Sequence, residues 1–381
     1  MARGGRDVEQ ATRQRVVLVG AGHAHLFVAM HADRLVRRGL DVTLVDPGHF
    51  WYSGMATGML GGMYSAEEDQ VDAGRLVESR GGRLVRDRMV ALDRARRVVG
   101  LESGREIGYD VVSLNVGSEV ALDGVPGADA NAWSVKPTHN LWRLRQHLEA
   151  LLRDRTARLR VIVVGGGASG VEVAGNLEAL VRRQEGDAEV MVISRSDRLL
   201  PSRSERVSRG VAAALERRGV MVSQACSVAA VESGRVVCSD GRQPEFDLLI
   251  VATGLRAPRM LSTLGLTLGE QGGLLVRATL QSVDDPRVLA VGDCADLEGR
   301  PLERYGVFAV RQSPILLANL AAVLCGGPLD EFRPQERWLS ILNLGAGEGL
   351  ALWGPLSWQG PLALRLKDRI DRRFLARYRP A

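Results

Sequence analysis

Glycines at two places in this 381-residue chain are spaced to hold a diphosphate. Gly20-Ala21-Gly22-His23-Ala24-His25 and Gly165-Gly166-Gly167-Ala168-Ser169-Gly170 stand 145 residues apart. A diphosphate needs backbone N–H groups pointing at it and the positive end of a helix dipole behind them. In such a turn the first glycine permits the tight reversal and the second lets phosphate approach the backbone. The third lets helix and strand pack closely. The second copy has all three, Gly165, Gly167 and Gly170. The first has Gly20 and Gly22 but His25 in third place, which predicts a helix set slightly farther from its sheet. His23 and His25, two apart, share no helix face, so the pair is assigned to the turn and not to a metal.

Residues after the next strand select the nucleotide. Asp46 can accept hydrogen bonds from an adenosine ribose. The corresponding stretch of the second copy is Ser194-Arg195-Ser196, where a guanidinium would pair with a 2′-phosphate that an acid would repel. The first turn is therefore expected to hold FAD, and the second NADPH in preference to NADH. The competing reading of Arg195 is a solvated loop arginine in an arginine-rich chain. Two further strands, Tyr109–Gly117 and Phe246–Gly254, end in small-residue turns at Gly117 and Gly254. Gly292-Asp293 ends the run from Val288, where a carboxylate can accept hydrogen bonds from the ribityl hydroxyls of a flavin. A cysteine follows there, Cys294, read as a small buried residue.

The elements that must position these groups are legible as a duplication. Val16–Val19 and Val161–Val164 are four-residue apolar runs entering the glycine turns, as strands buried on both faces should be. Helical patterns follow, Ala24 to Arg38 and Ser169 to Arg183, and then second strands Asp41–Val45 and Glu189–Ile193. Two βαβ beginnings predict an α/β protein with two doubly wound Rossmann-like domains.

Composition narrows the class. Apolar residues make up 45% and charged residues 25%, as in a soluble globular chain rather than a disordered one. No run of about eighteen apolar residues occurs, which argues against a transmembrane helix. Met1–Arg13 is polar and lacks the apolar core of a secretory signal, so a cytoplasmic location is expected. Four cysteines, Cys226, Cys238, Cys294 and Cys325, form no CxxC and no metal-ligand spacing. That pattern argues against a disulfide framework, a zinc ribbon and a dithiol redox centre. The net charge of +5 resides in the tail, where seven basic residues between Leu362 and Arg379 face two acids. The rest is near neutral, which argues against nucleic acid as a partner.

The set GAGHAH, GGGASG, ATG and AVGDCA resembles the flavoproteins with two dinucleotide-binding domains, which include type II NADH dehydrogenases and sulfide:quinone reductases. GAGHAHL, YSGM at Tyr52–Met55, VKP at Val135–Pro137, FAVRQSP at Phe308–Pro314 and RLKDRIDRRFLARY at Arg365–Tyr378 resemble one branch more closely. It is the flavoprotein domain often fused to selenophosphate synthase, here without the kinase domain. The resemblance runs from about Arg15 to Tyr378. It implies that Gly20, Gly22, Asp46 and Asp293 serve FAD and that Gly165, Gly167 and Gly170 serve NAD(P)H. It also implies a split FAD domain, residues 14–135 and 283–330, with an inserted NAD(P)H domain, 136–282, and a small C-terminal cap, 331–381.

Three side chains are expected to act at the reaction centre. Gln312 lies in Phe308–Leu320, read as a helix start with Ser313 as N-cap and Pro314 in the first position. Such a helix end, aimed at a reduced flavin, would stabilise its negative charge. In type II dehydrogenases the matching segment borders the quinone site. Glu172 follows the second glycine turn, where relatives place a glutamate near the nicotinamide; a first-turn acid favoured by the helix dipole fits equally well. Lys136 is one of only two lysines, with Lys367, and is expected near flavin N5 or else on the surface. Trp51, Tyr52 and Met55 wall the flavin or an apolar channel, or simply pack a core. Cys294 and Cys325 leave a redox pair open.

Near the end, Leu362, Leu366, Ile370, Phe374 and Tyr378 recur every four residues, preceded by Trp353 and Trp358. This predicts a basic amphipathic helix that docks on a membrane surface or a second copy, or that packs on its own domain. The expected activity is electron transfer from NAD(P)H through FAD to an apolar acceptor, a quinone first. The alternatives are a flavoenzyme of sulfur or selenium metabolism and a non-catalytic flavin-binding protein at the membrane periphery, on the inner face.

Overall fold

The computed structural model describes residues 13–122, 125–154 and 157–379. Most of the N-terminal segment read as lacking a secretory signal, residues 1–12, lies outside them. The chain opens with β1 (Arg15–Val19), α1 (His23–Met30), α2 (Ala32–Val36) and β2 (Asp41–Val45). Two short helices, α3 (Ala56–Leu60) and α4 (Ala66–Asp69), lead to β3 (Arg83–Val85) and β4 (Val111–Leu114). The second copy follows as β5 (Trp133–Ser134), α5 (Asn140–Asp154), β6 (Leu159–Val164), α6 (Ala168–Arg183), β7 (Ala188–Ile193) and β8 (Met221–Ser223). A hairpin, β9 (Val228–Glu232) and β10 (Arg235–Cys238), precedes β11 (Leu248–Val251) and β12 (Val288–Ala290). Last come α7 (Gly306–Cys325), the strands β13 (Leu339–Gly345), β14 (Glu348–Trp353) and β15 (Leu356–Gly360), and α8 (Pro361–Ala376).

The chain forms two compact units. One comprises the described residues of Met1–His49, Asp72–Val116 and Arg259–Phe332. The other comprises those of Phe50–Val71, Gly117–Pro258 and Arg333–Ala381. The segment 14–135, expected to serve FAD, is thus divided between them.

Each unit is built on a five-stranded parallel sheet. The first has the order β12-β4-β1-β2-β3, the second β5-β11-β6-β7-β8. The strand entering each glycine turn sits in the middle. Val16 pairs with Val42 on one side and Val111 on the other; Val161 pairs with Val190 and Leu248. Central strands of a parallel sheet are covered on both faces, which is why Val16, Val17, Leu18, Val161 and Val163 are wholly buried. Burying each such side chain is worth about 2 kcal/mol. The duplication extends to a staple that the motifs did not reveal. Asp110 accepts from both the backbone N and the Nε of Arg15 (2.8 and 3.3 Å). Asp247 does the same for Arg160 (2.9 and 3.2 Å).

Several expectations are corrected. The helix after the first turn is not continuous from Ala24 to Arg38. It breaks at His31, whose backbone leaves the helical region (φ −112°, ψ 18°) while its N–H still reaches the Phe27 and Val28 carbonyls and its imidazole also bonds the Phe27 carbonyl. Ser313 is not an N-cap and Pro314 not a first residue, because α7 starts at Gly306 and holds Pro314 inside it. Proline brings no N–H to the Val310 carbonyl, and the Ser313 hydroxyl donates to that carbonyl and to Ala309 instead (2.9 Å each). By length and composition α7 could also cross a membrane, although no uninterrupted apolar run marks it in the sequence. Half of it is buried, it packs on α1, and Gln312 and Asn319 form buried hydrogen bonds, as in a core helix.

Cys226 and Cys238 form a disulfide, contrary to expectation. The hairpin β9–β10 folds the chain back and brings them together, a proximity that sequence spacing does not encode. The C-terminal stripe is also displaced. A step of four residues overshoots one helical turn by about 40°, so the four steps from Leu362 to Tyr378 wind around the helix. Accordingly α8 buries Ala363, Leu364, Lys367, Asp371 and Leu375, while Leu362 and Ile370 remain exposed (70% and 44%).

Candidate functional site

The first turn lies in the first unit, between β1 and α1. Gly20 has φ +84°, and its N–H donates to the Val45 carbonyl (2.8 Å). Asn115, at the end of β4, organises the turn. Its Oδ1 accepts from the N–H groups of Ala24 (3.1 Å) and His25 (3.3 Å), and its Nδ2 donates to the Val291 carbonyl (2.9 Å). A Cβ on Gly22 would strike that amide, so glycine is required by close approach. Asp46 closes the other side, accepting from Ala21 N (2.7 Å) and Gly48 N (2.8 Å). Burial raises its carboxyl above the ordinary range, partly offset by those two donors. It stands where a ribose hydroxyl would be met.

His25 replaces the third glycine by filling the space. Its Nδ1 is 2.6 Å from the Gly20 carbonyl, so that nitrogen carries the proton, and Nε2 accepts from the Ser113 hydroxyl (2.8 Å). Complete burial lowers its pKa to about 4, so it is neutral and structural. His23 opens α1, half-buried. No cluster able to hold a metal exists among the described residues.

Gly292 (φ +69°) and Asp293 follow β12 in the same unit. The Gly292 N–H donates to Gln312 Oε1 (2.7 Å), so Gln312 fixes the loop that presents Asp293. Arg304, unforeseen from sequence, donates to the Asp293 carbonyl and to the Gln271 carbonyl (2.6 Å each) and pairs with Asp296. A small cleft is lined here by Gly292, Asp293, Arg304, Tyr305, Phe308 and Gln312. Gly117 (φ +75°), just beyond β4, leaves open space where its side chain would be. Cys294 is buried, with its Sγ directed at the Leu114 and Val291 carbonyls, and Cys325 is exposed; no disulfide joins them.

The second unit repeats the arrangement with all three glycines. Gly165 N donates to the Ile193 carbonyl (2.8 Å), matching Gly20. A Cβ on Gly170 would overlap the Gly165 carbonyl, which accounts for the third glycine, whereas beside Gly167 there is open space that a phosphate could fill. Thr253 brings a buried hydroxyl with no hydrogen-bond partner to the same strand ends, next to Gly254. An orphaned buried hydroxyl and a vacant side-chain position fit a dinucleotide. Arg195 is exposed on the loop after β7, free to meet a phosphate from solvent. Lys136 is half-buried in this unit, its Nζ 3.5 Å from the Thr138 hydroxyl.

Glu172 lies in the second turn of α6, not the first, so the helix dipole does not account for it; it is half-buried. Its Oε1 accepts from Asn343 N (2.7 Å) and the Thr57 hydroxyl (3.4 Å), and burial raises its pKa. Nearby groups were missed by the motifs. Lys367 Nζ donates to the Gly54 carbonyl (2.6 Å) and to Asp371 Oδ2 (2.8 Å), and the Tyr52 hydroxyl donates to Asp371 Oδ1 (2.9 Å). Tyr52 stacks on Phe374 at 4.8 Å between centroids. Met55 is buried and Trp51 half-buried in the same unit.

Two strand-end cradles of this kind define an oxidoreductase that handles a flavin and a pyridine nucleotide. The chain belongs to the pyridine nucleotide-disulphide oxidoreductase family, whose profile matches residues 14–314. It is a flavin-dependent enzyme, with FAD and NAD(P)H as its cofactors. It is similar to the demethylphylloquinone reductase NdbB of Synechocystis, 24% identical over 90% of this chain and 89% of that protein. It is also similar to the probable ferredoxin reductase CtmF of Castellaniella defragrans, 30% identical over 85% of this chain and 78% of the other. Among solved structures, NDH2 of Plasmodium falciparum in complex with NADH shares the fold. Its TM-score is 0.80, with 14% identity over 96% of this chain and 97% of that one.

Proposed function

We propose that this protein oxidises NAD(P)H and passes the electrons through FAD to a quinone at a membrane surface. The observation carrying the reading is the pair of cradles, one with a ribose-facing carboxylate and one without. The chemistry FAD would supply there, when bound, is the relay of reducing equivalents from nicotinamide to acceptor. The protein's part is to bind, orient and exclude water. Gly20, Gly22 and Asp46 hold the adenosine diphosphate of FAD, while Asp293, fixed by Gln312 and Arg304, receives the ribityl chain. Gly165, Gly167, Gly170 and Thr253 hold the second dinucleotide, and Arg195 selects the 2′-phosphate. Glu172, its carboxyl pushed above the ordinary range by burial, serves the nicotinamide end, and Lys136 supplies an ammonium toward the flavin.

A quinone is favoured by the name that NdbB carries and by the C-terminal surface. Trp353, Leu356, Trp358, Leu362 and Ile370 are exposed together with Arg365, Arg369, Arg373 and Arg377. Apolar rings on β14 and β15 and arginines on and just after α8 suit an anionic leaflet, each arginine contributing about 1 kcal/mol. The test is anaerobic bleaching of the yellow protein by NADPH or NADH. Reoxidation by quinones, a small iron–sulfur protein, polysulfide or selenium compounds follows. Fast reoxidation by quinones alone supports the reading, and reoxidation by another class alone overturns it. Retained flavin with no bleaching by either nucleotide makes the protein a non-catalytic flavin carrier.

A further inference from the structure

Reducing a quinone to a quinol takes two electrons and two protons. A hydride taken from NAD(P)H brings both electrons but the equivalent of only one proton, so a second must enter from water. The second unit contains a group suited to storing it. Asp69 ends α4, where its carbonyl accepts from Tyr52 N (2.9 Å) in the short strand pair Phe50–Trp51 with Gln70–Val71. That pairing turns its side chain inward. Asp69 is fully buried, and neither carboxylate oxygen has a hydrogen-bond partner. An unpaired buried carboxylate is expensive, and the group resolves this by holding a proton.

The surroundings support this. Asp371 and Lys367 of α8 face Asp69, as do Tyr52 and, from beyond α8, Arg379. Glu67 and Glu68 precede it on α4 at the surface, where Arg372 pairs with Glu68 (2.8 Å). Lys367 is already committed to Asp371, and the Arg379 guanidinium donates to the carbonyls of Glu67 and Glu68. Burial and the Asp371 charge, opposed by Lys367 and Arg379, push the Asp69 carboxyl up to about 8. Glu172 lies within reach of the same Lys367–Asp371 field, but donors from Asn343 and Thr57 fix it. Asp69 can gain or lose a proton without breaking a hydrogen bond within the protein, because neither of its oxygens makes one.

We propose, on the reading that a quinone is the acceptor, that Asp69 is the proton store of the acceptor half-reaction. It releases the second proton inward as the quinone is reduced and is reloaded from water. The sum is balanced: NAD(P)H, one proton from water and quinone give NAD(P)+ and quinol, with Asp69 returning to its starting form. Asp69 touches no reacting atom and is coupled to the Tyr52–Asp371–Lys367 network by charge, with no hydrogen bond to it, and is therefore a positioning residue for that proton.

The test compares the wild type with Asp69→Asn, a neutral isostere that keeps the shape. In stopped flow, wild-type flavin reduced by NADPH is reoxidised by a short-chain soluble quinone at a rate that falls as pH rises through about 8. The variant reoxidises about tenfold more slowly at neutral pH, with no such break. Bleaching by NADPH serves as its folding control. Infrared spectroscopy of wild-type protein without added quinone supplies a second readout, independent of turnover and of the variant's folding. A protonated-carboxyl band disappears through about pH 8. Wild-type kinetics in the variant, or a wild type lacking that band, overturns the proposal. If quinone reoxidises neither protein although both bleach, the quinone reading has failed and the proposal goes with it.

Discussion

Replacing His25 by alanine should destabilise the first unit, and by an amount that depends on pH. The imidazole is fully buried, donates to the Gly20 carbonyl and accepts from the Ser113 hydroxyl. Two hydrogen bonds at about 1 kcal/mol each are lost, and the emptied ring volume adds about 2 more. The loss at pH 7 is therefore about 4 kcal/mol. Acid changes this. The folded imidazole titrates near 4 against 6.5 in the unfolded chain. Between those values only the unfolded state binds the proton, so wild-type stability is complete above about 6.5 and is lost as pH falls toward 4. The 2.5-unit difference amounts to about 3 kcal/mol. The alanine variant lacks this term, so the gap should shrink from about 4 to about 1 kcal/mol. Asp69 contributes a slope of opposite sign, stability falling as pH rises from about 4 to about 8, but it is common to both proteins and cancels in the difference. The assay is urea unfolding followed by near-ultraviolet dichroism and flavin release across that range. A variant as stable as wild type at pH 7, or a gap that widens in acid, would refute the reasoning.

Arg195→Ser should raise the KM for NADPH by about tenfold and leave that for NADH nearly unchanged, a 2′-phosphate contact being worth about 1.5 kcal/mol; equal effects on both would remove the selectivity argument. Gly170→Val should abolish bleaching by either nucleotide while the protein stays yellow, because the added side chain meets the Gly165 carbonyl; measurable nucleotide binding in that variant would contradict the assignment of the second cradle. Paired Trp358→Ser and Leu362→Asp substitutions should release the protein from anionic vesicles in a flotation assay, and salt should weaken wild-type binding; unchanged flotation would move the docking surface elsewhere. Cys226→Ser with Cys238→Ser should lower stability by about 3 kcal/mol, the loop-closure value for a separation of 12 residues, read by urea denaturation; no change would argue against the crosslink.

What the sequence disclosed and what it withheld divide on physical grounds. Val16–Val19 and Val161–Val164 were readable because a strand buried on both faces is apolar without alternation, and the glycines that follow are demanded by local sterics. Asp46 and Asp293 were readable because their places at strand ends are fixed by the same local units. Asn115 was not, because its three hydrogen bonds go to residues about 90 and 176 positions away, a pairing set only by strand order. Asp69 hides in an acidic run, Glu67-Glu68-Asp69, that resembles a solvated helix start; only the reversal into the short strand pair turns its last member inward. In α8 the error was geometric: the stripe from Leu362 to Tyr378 was taken as one face, whereas the interior face carries Lys367 and Asp371, each neutralising the other. Ser313-Pro314 carries the residues of a helix start. Mid-helix they do different work, the hydroxyl supplying what the proline lacks.

The order of strands in the two sheets has a temporal side. Every strand of the second sheet lies between Trp133 and Val251, so a growing polypeptide has that sheet in hand well before it is finished. The first sheet waits for its edge, Val288–Ala290, to join a neighbour made more than 170 residues earlier. Asn115 cannot anchor to Val291 until then either. The second unit's sheet can ripen early on the ribosome, whereas the first unit's closes late, and a nascent chain halted near Val251 should be found structured yet colourless.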